Sequence, residues 1–292
     1  MYLSAQLVES VERAVGVRVR DAEPVGGGCI ANACRVDTET GPFFLKWSAD
    51  AEVAQTFDAE AAGLRALAEA HSPLLVPGVL VARGAGPDGP GILLAEWIEQ
   101  GREGSDFWEG FGAGLAALHR HTGPRFGFEI DNFVGRLPQD NGWADDWATF
   151  FRERRLAPQV ETARRSGVWQ RGWDPHLDRL YARLEDVLPP TPEASVLHGD
   201  LWSGNFLVAA GGAAALVDPA AYYGHREADL AMTELFGGFD DRFYAAYREA
   251  WPLEPGYAQR RDVYNLYHLI NHLNHFGSSY VGAVTSTLRR LS

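Results

Sequence analysis

The chain has 292 residues, 46% of them hydrophobic, which suits one large domain or two lobes around a cleft. Its formal net charge of −13 repels phosphate backbones and argues against a nucleic-acid partner. No apolar run approaches the ~20 residues that span a bilayer. The first residues lack a basic stretch followed by an apolar core, and two cysteines cannot form a disulfide framework. The expectation is a soluble cytoplasmic protein without a membrane partner.

Ser4 to Val15 carries Leu7, Val8, Val11, Ala14 and Val15 at helical spacing, with Ser4 as the expected N-cap. Strand-like runs follow at Val17–Val25, Ala31–Val36 and Phe43–Trp47. Gly26, Gly27 and Gly28 lie between the first two, where glycine lets a backbone approach a ligand and offer its N–H groups. No Gly-Lys-Ser/Thr follows, so this is not a Walker loop. Of the 26 basic residues, 25 are arginine and one is lysine, Lys46, at the end of the third strand. A chain that takes its surface charge from arginine keeps a lone lysine where a compact ammonium must bind phosphate as a point charge.

Glu52 to Ala70 reads as a helix with Val53, Phe57, Ala61, Leu64, Leu67 and Ala68 in one stripe, and Glu60 beside it. A strand lysine held by a glutamate on the next helix is the arrangement that grips α- and β-phosphates. Pro73 and Pro77 end the helix, and Val79–Val81 and Ile92–Ala95 read as two more strands. Glu96, Trp97 and Ile98 lead into the polar stretch Glu99–Ser105. That shift marks the expected boundary between an N-terminal nucleotide-binding lobe, 1–98, and a C-terminal catalytic lobe, 99–292.

Beyond it the pattern is mostly helical: Phe107–His121, a long segment Trp143–Arg165, and Pro175–Val187, with Gly123–Gly142 loop-like between the first two. Arg154 and Arg155 read as solvated or paired with helix acids. Glu227–Phe236, Arg242–Trp251 and Tyr257–Phe276 are further helices. His268, His272 and His275 share one face of the last but lack the glutamate, cysteine or acid of a zinc motif, so they read as hydrogen-bonded packing residues.

The chemistry concentrates between Ser195 and Asp218. Val196–Leu197, Phe206–Val208 and Ala213–Val217 look like short strands, with His198, Asp200, Asn205 and Asp218 on the turns. An aspartate, an asparagine five residues on, and a second aspartate after a hairpin are the parts of a phosphoryl-transfer centre. Asp200 would orient and deprotonate a hydroxyl, and Asn205 and Asp218 would hold magnesium. His198 reads as a brace, and Asp229 as a cap for backbone N–H groups of the catalytic loop.

The chain resembles the fructosamine kinase (ketosamine-3-kinase) family, related to aminoglycoside phosphotransferases and choline kinases. The residues that carry the resemblance span nearly the whole chain in order: Gly26 to Ile30, Phe44-Leu-Lys46, Phe57 to Glu60, Gly127 to Asn132, His198-Gly-Asp-Leu-Trp-Ser-Gly-Asn205, Asp218-Pro-Ala, Gly224 to Leu230 and Asn271 to Gly277. Asp-Leu-Trp-Ser-Gly-Asn separates this family from its relatives. The resemblance implies an α+β, bilobal, protein-kinase-like fold, with an antiparallel sheet plus helix in the first lobe and mostly helices in the second. It implies ATP- and Mg2+-dependent phosphorylation of a ketosamine 3-hydroxyl, after which the adduct falls apart and the amine is released.

In such a fold Glu96, Trp97 and Ile98 offer backbone groups to adenine. Asp131, Asn132 and Trp202 are the candidate substrate contacts. Cys29 matches a position that in the family acts as a redox switch through disulfide-linked dimers, so a monomer or a redox-linked dimer is expected, with Cys34 as the alternative thiol. Two other readings fit the residues: a kinase of the same fold with an aminoglycoside, choline-like or amino-sugar acceptor, and a nucleotide-binding pseudokinase. Intact Lys46, Asp200, Asn205 and Asp218 argue against the second. If the acidic surface reaches the cleft mouth, amine-bearing acceptors such as glycated lysine are favoured over anionic sugars.

Overall fold

A computed structural model describes residues 3–26, 31–87, 89–189 and 191–292. Gly27, Gly28 and Cys29 lie outside the described residues. The chain begins with α1 (Ala5–Val15), where Ser4 Oγ accepts a hydrogen bond from the Leu7 amide as expected. Then come β1 (Val19–Pro24), β2 (Asn32–Thr38), β3 (Gly41–Ser48), α2 (Ala51–Glu69), β4 (Val79–Arg83) and β5 (Gly91–Glu96). The five strands form one antiparallel sheet in the order β1-β2-β3-β5-β4.

Two small cores hold this part together. Leu7 and Val11 of α1 pack with Cys34, Val36, Leu45 and Leu94 of the sheet. Ala54, Phe57 and Ala61 of α2 pack with Leu93. The end of α2 belongs elsewhere: Ala66, Leu67 and the following Leu74 join the large core of the helical part. Leu75 also bridges to Ala215 there, with both backbone hydrogen bonds at 2.9 Å. The helix that carries Glu60 therefore rests on both halves, which fixes Glu60 relative to the loop from His198 to Asn205 in the helical part.

The helical part contains α3 (Phe107–His119), β6 (Thr122–Gly123), β7 (Asn132–Val134), β8 (Leu137–Gln139), α4 (Trp147–Phe150) and α5 (Ala157–Arg165). It continues with α6 (Asp174–Val187), β9 (Ala194–Leu197), β10 (Phe206–Val208), β11 (Ala214–Leu216) and β12 (Tyr222–Gly224). Helices α7 (Glu227–Leu235), α8 (Asp241–Ala250), α9 (Tyr257–Phe276) and α10 (Val281–Leu291) complete it. The small sheets are β10-β11, β12-β9-β6 and β7-β8. Mixed helices and antiparallel sheets in this arrangement form the expected α+β bilobal fold. Among the described residues, no helix is long and apolar enough to cross a membrane.

Three stretches differ from the sequence expectations. The segment read as loop at Gly123–Gly142 contains the β7-β8 hairpin, paired Asn132↔Gln139 to Val134↔Leu137. The long helix expected over Trp143–Arg165 starts at Trp147, capped by Asp146, and widens into a π-helical turn over Phe151–Leu156. That turn places Arg155 inside, against expectation. Its guanidinium lies 4.0 Å from the Tyr222 ring centre and 4.6 Å from that of Phe150, and donates to Asp140 O and Asn141 Oδ1. Finally, α10 was not anticipated; Val284, Leu288 and Leu291 bury its inner face.

Candidate active site

Strand β9 runs into the loop from His198 to Asn205, whose turn is tied from below. Asp229, near the start of α7, accepts from the backbone N–H groups of His198 (2.7 Å) and Gly199 (2.9 Å), as its expected capping role requires. Its Oδ2 also lies 3.2 Å from Nε2 of buried His119. Burial works to raise the Asp229 carboxyl, but the His119 contact and the nearby imidazoles outweigh it and hold it below the usual range. His198 spans the loop. Its Nδ1 accepts from the Asp200 amide at 3.3 Å, so Nε2 carries the proton and donates to Val217 O at 2.9 Å. Burial lowers its pKa, which keeps the ring neutral.

Asp200 projects from this loop into the cleft. Asn205 Nδ2 donates to its backbone oxygen (2.8 Å) and to its carboxylate Oδ2 (3.1 Å). Burial pushes the Asp200 carboxyl up to about 7; the Asn205 hydrogen bond opposes this, and the charges of Asp218 and Asp229 add to it. The residues between them have a packing reason. A side-chain carbon at Gly204 would come within 2.3 Å of the Trp202 ring, so the indole folds over the loop only because the next-but-one residue is glycine.

Across the cleft, Lys46 Nζ donates to both Glu60 oxygens at 2.8 and 2.9 Å and also to Asp218 Oδ1. Desolvation would lower the ammonium, but two carboxylates hold it charged. Asp218 is correspondingly depressed: burial would raise it, and Lys46 overrides that. Glu60 is raised, because it is buried and shares one cation with a second acid. Asp218 adopts φ 54°, a conformation rare for a non-glycine residue, and keeps its side chain 45% exposed toward the cleft.

This triad separates two chambers. The smaller, about 170 Å3, is lined by Ala33, Leu93, Ala95, Leu207 and Val217, with Gly26, Glu96, Trp97 and Ile98 at its edge. Glu96 is tied to Gly78 twice: its carboxylate Oε2 accepts from the Gly78 amide at 3.0 Å, and its own amide donates to Gly78 O at 2.8 Å. The larger chamber, about 710 Å3, holds Asp200, Trp202, Asn205 and Asp218.

The candidate acceptor contacts fall unevenly around this second chamber. Asp131 does not line it; its carboxylate accepts from the Asn141 amide at 2.8 Å and stabilises the loop instead. Asn132 does line it, but its amide is held at both ends: Nδ2 donates to Ala221 O, and Oδ1 accepts from Gln139, itself held by Tyr267. Asn271, His272, Asn274 and His275 of α9 form a wall that sequence reasoning missed, together with Arg136 and Phe276. The asparagine and histidine pairs one turn apart on the same helix were the available signal. His268 alone is a buried packing residue. Among the described residues, the acids lining the chamber are Glu60, Asp200 and Asp218, all bound to Lys46 or Asn205, so none of them stands on the wall formed by Arg136 and α9. The other thiol considered, Cys34, is sealed in the sheet core, and burial pushes it up to about 11.

A magnesium site fits these residues. Asn205 commits its N–H groups to Asp200, which leaves its carbonyl oxygen, and Asp218 adds carboxylate oxygens: hard donors of the kind Mg2+ takes.

Comparison with known proteins gives concordant results. A family model described as fructosamine kinase matches residues 3–292. A probable ketoamine kinase of Synechocystis sp. is 44% identical over 268 residues, covering 90% of this chain and 87% of that one. A chloroplastic protein-ribulosamine 3-kinase of Arabidopsis thaliana is 39% identical, covering 90% of this chain and 80% of its own. Among solved structures, a fructosamine-3-kinase candidate from Thermobifida fusca superposes with TM-score 0.87 at 32% identity, covering 98% of each chain. An aminoglycoside phosphotransferase bound to ADP and hygromycin B gives TM-score 0.69 at 16% identity, which extends the shared fold beyond the family.

Proposed function

The chain belongs to the fructosamine kinase family, and from that premise we propose that it phosphorylates the 3-hydroxyl of ketosamines with ATP, so that the unstable product releases its amine. The observation that carries the reading is the joint placement of Lys46, Glu60, Asp218, Asn205 and Asp200 around one cleft with a chamber on each side.

Each residue has a role that follows from its state. The apolar chamber takes adenine, with backbone groups of Glu96 to Ile98 at its rim. Lys46, locked by Glu60, neutralises the α- and β-phosphates. To do so it exchanges its Asp218 contact for phosphate oxygens, which frees Asp218. Asn205 and Asp218 would hold magnesium, which supplies charge neutralisation of the transferring phosphoryl group. Asp200 orients the acceptor hydroxyl and takes its proton; a carboxyl raised to about 7 is well matched to that task. Trp202 packs against the sugar. The rate then comes from positioning and charge stabilisation in a preset frame.

The test is ATP turnover with synthetic fructosamine and ribulosamine acceptors, compared with Asp200→Asn. The wild type turns over a ketosamine. The variant loses about 10²–10⁴ in kcat, the usual contribution of a positioned base, with ATP affinity nearly kept. Turnover of an aminoglycoside alone, or nucleotide binding without any turnover, overturns the reading.

A further inference from the structure

The outer wall of the larger chamber carries a fixed positive charge in a chain of net charge −13. Arg136 lies in the turn of the β7-β8 hairpin and lines the same chamber as Asp200. That turn is seated on α9. The Arg136 amide lies 3.3 Å from His275 Nε2, which is also 3.2 Å from Val134 O. Gly135 has φ +63°, and a side-chain carbon on it would fall 2.2 Å from that same nitrogen. The hairpin therefore approaches the helix as closely as a glycine permits, which sets where Arg136 stands.

Among the described residues, no hydrogen bond or ion pair reaches the Arg136 guanidinium. Its neighbours on this wall do not compete with it. Burial lowers His272 and His275, and for His275 the charges of His272 and Arg136 add to the effect, so both rings are neutral near pH 7. The chamber's acids are held by Lys46 and Asn205. At about 710 Å3 the chamber lies within the ~300–1,000 Å3 of small-ligand sites, with room beyond a sugar ring.

We propose that Arg136 binds an anionic group of the acceptor, remote from the hydroxyl that is phosphorylated, so that the preferred substrate is a small anionic ketosamine. A guanidinium fork matches the paired oxygens of a carboxylate or a phosphate. The anion is therefore either the carboxylate of a glycated amino acid or a phosphate on the sugar. This inference rests on the ketosamine kinase reading and specifies its substrate.

The experiment uses the full chain and two matched acceptor pairs: fructosyl-glycine against fructosyl-glycinamide, and the ribulosamine 5-phosphate adduct of methylamine against its unphosphorylated counterpart. The charged member of one pair should have kcat/KM higher by about tenfold, as a charge-assisted hydrogen bond at a half-open site gives. In Arg136→Gln that ratio should fall to near one, and in Arg136→Lys it should fall only in part. Added salt should shrink the wild-type preference. A response in the first pair identifies the carboxylate, and in the second the phosphate. Turnover of all four acceptors without a charge preference, or a preference that survives Arg136→Gln, overturns the inference while leaving the kinase reading intact. Absence of any ketosamine turnover overturns both.

Discussion

Lys46 and Arg136 are both cations lining one cleft, but one is paired and the other, among the described residues, is not. Lys46 has a side chain only 12% exposed and is gripped by Glu60 and Asp218. Arg136 sits on an exposed turn with no partner on its guanidinium among the described residues. Around the lysine, nearly every polar group is already paired: His198 to Val217, Asn205 to Asp200, Asp229 to two backbone amides. Around the arginine, the wall has loose ends. Asn271 is 2% exposed, and among the described residues its buried Nδ2 has no hydrogen-bond partner. A prearranged frame serves a ligand that never changes, because little reorganisation remains at the reaction step. An exposed, unpaired guanidinium serves a ligand that varies, because its hydrogen bonds form only when the right partner arrives.

The strongest way to break this comparison is to disturb the paired side. Lys46→Arg keeps the charge but replaces a compact ammonium by a longer planar fork, which cannot sit between Glu60 and Asp218 at the observed distances. Losing one charge-assisted contact to phosphate should cost about 10- to 100-fold in kcat/KM for ATP, with kcat/KM for the acceptor at saturating ATP less affected. Equal activity in the two proteins would mean that the lysine is not a phosphate ligand and that its uniqueness in the sequence is accidental.

A second test reads the charge state of the same frame. The Asp200 carboxyl is pushed up to about 7, chiefly by burial. The base must be ionised to take a proton, so kcat/KM should rise with pH up to about 7 and level off above it. Below that point it should fall about tenfold for each pH unit. The Asn205 hydrogen bond favours the carboxylate, so Asn205→Ala should move the limb to higher pH. A rate that stays flat below pH 7 would remove Asp200 from the role of base.

The two walls also differ in how far the sequence reveals them. Lys46 could be singled out because it is alone among 26 basic residues, while Arg136 is one of 25 arginines and carries no such mark. Asp200, Asn205 and Asp218 lie within 19 residues, so their spacing could be read directly, and Asp229 could be assigned its capping role from its place at a helix start. The acceptor wall has no such compact spacing. It joins a hairpin at residues 132–139 to a helix beginning more than a hundred residues later, and only folding brings them together. The hairpin itself was hidden by Gly135 and Pro138, which read as loop residues although one makes the turn and the other sits in a two-stranded ribbon. Helix α10 was hidden by glycine and β-branched residues of low helical propensity, though Val281, Val284, Leu288 and Leu291 keep the helical period.

The finest test separates residues that touch the acceptor from residues that hold the wall. Asp131 and Trp202 looked alike in the sequence, as polar or aromatic residues near family motifs. The structure divides them. Asp131 turns its carboxylate to the Asn141 amide, outside the chamber, and an asparagine there can accept the same hydrogen bond. Asp131→Asn should therefore leave acceptor KM within about twofold, in line with an exposed substitution that keeps its partner. Trp202 lines the chamber beside Asp200 and is 40% exposed, so Trp202→Phe, which keeps an aromatic face but a smaller one, should raise acceptor KM more than Asp131→Asn does. The order matters more than the size of either effect. If Asp131→Asn raised acceptor KM above Trp202→Phe, the acceptor would have to reach the loop at residues 129–131, and the wall formed by Arg136 and α9 would no longer mark the outer limit of the site.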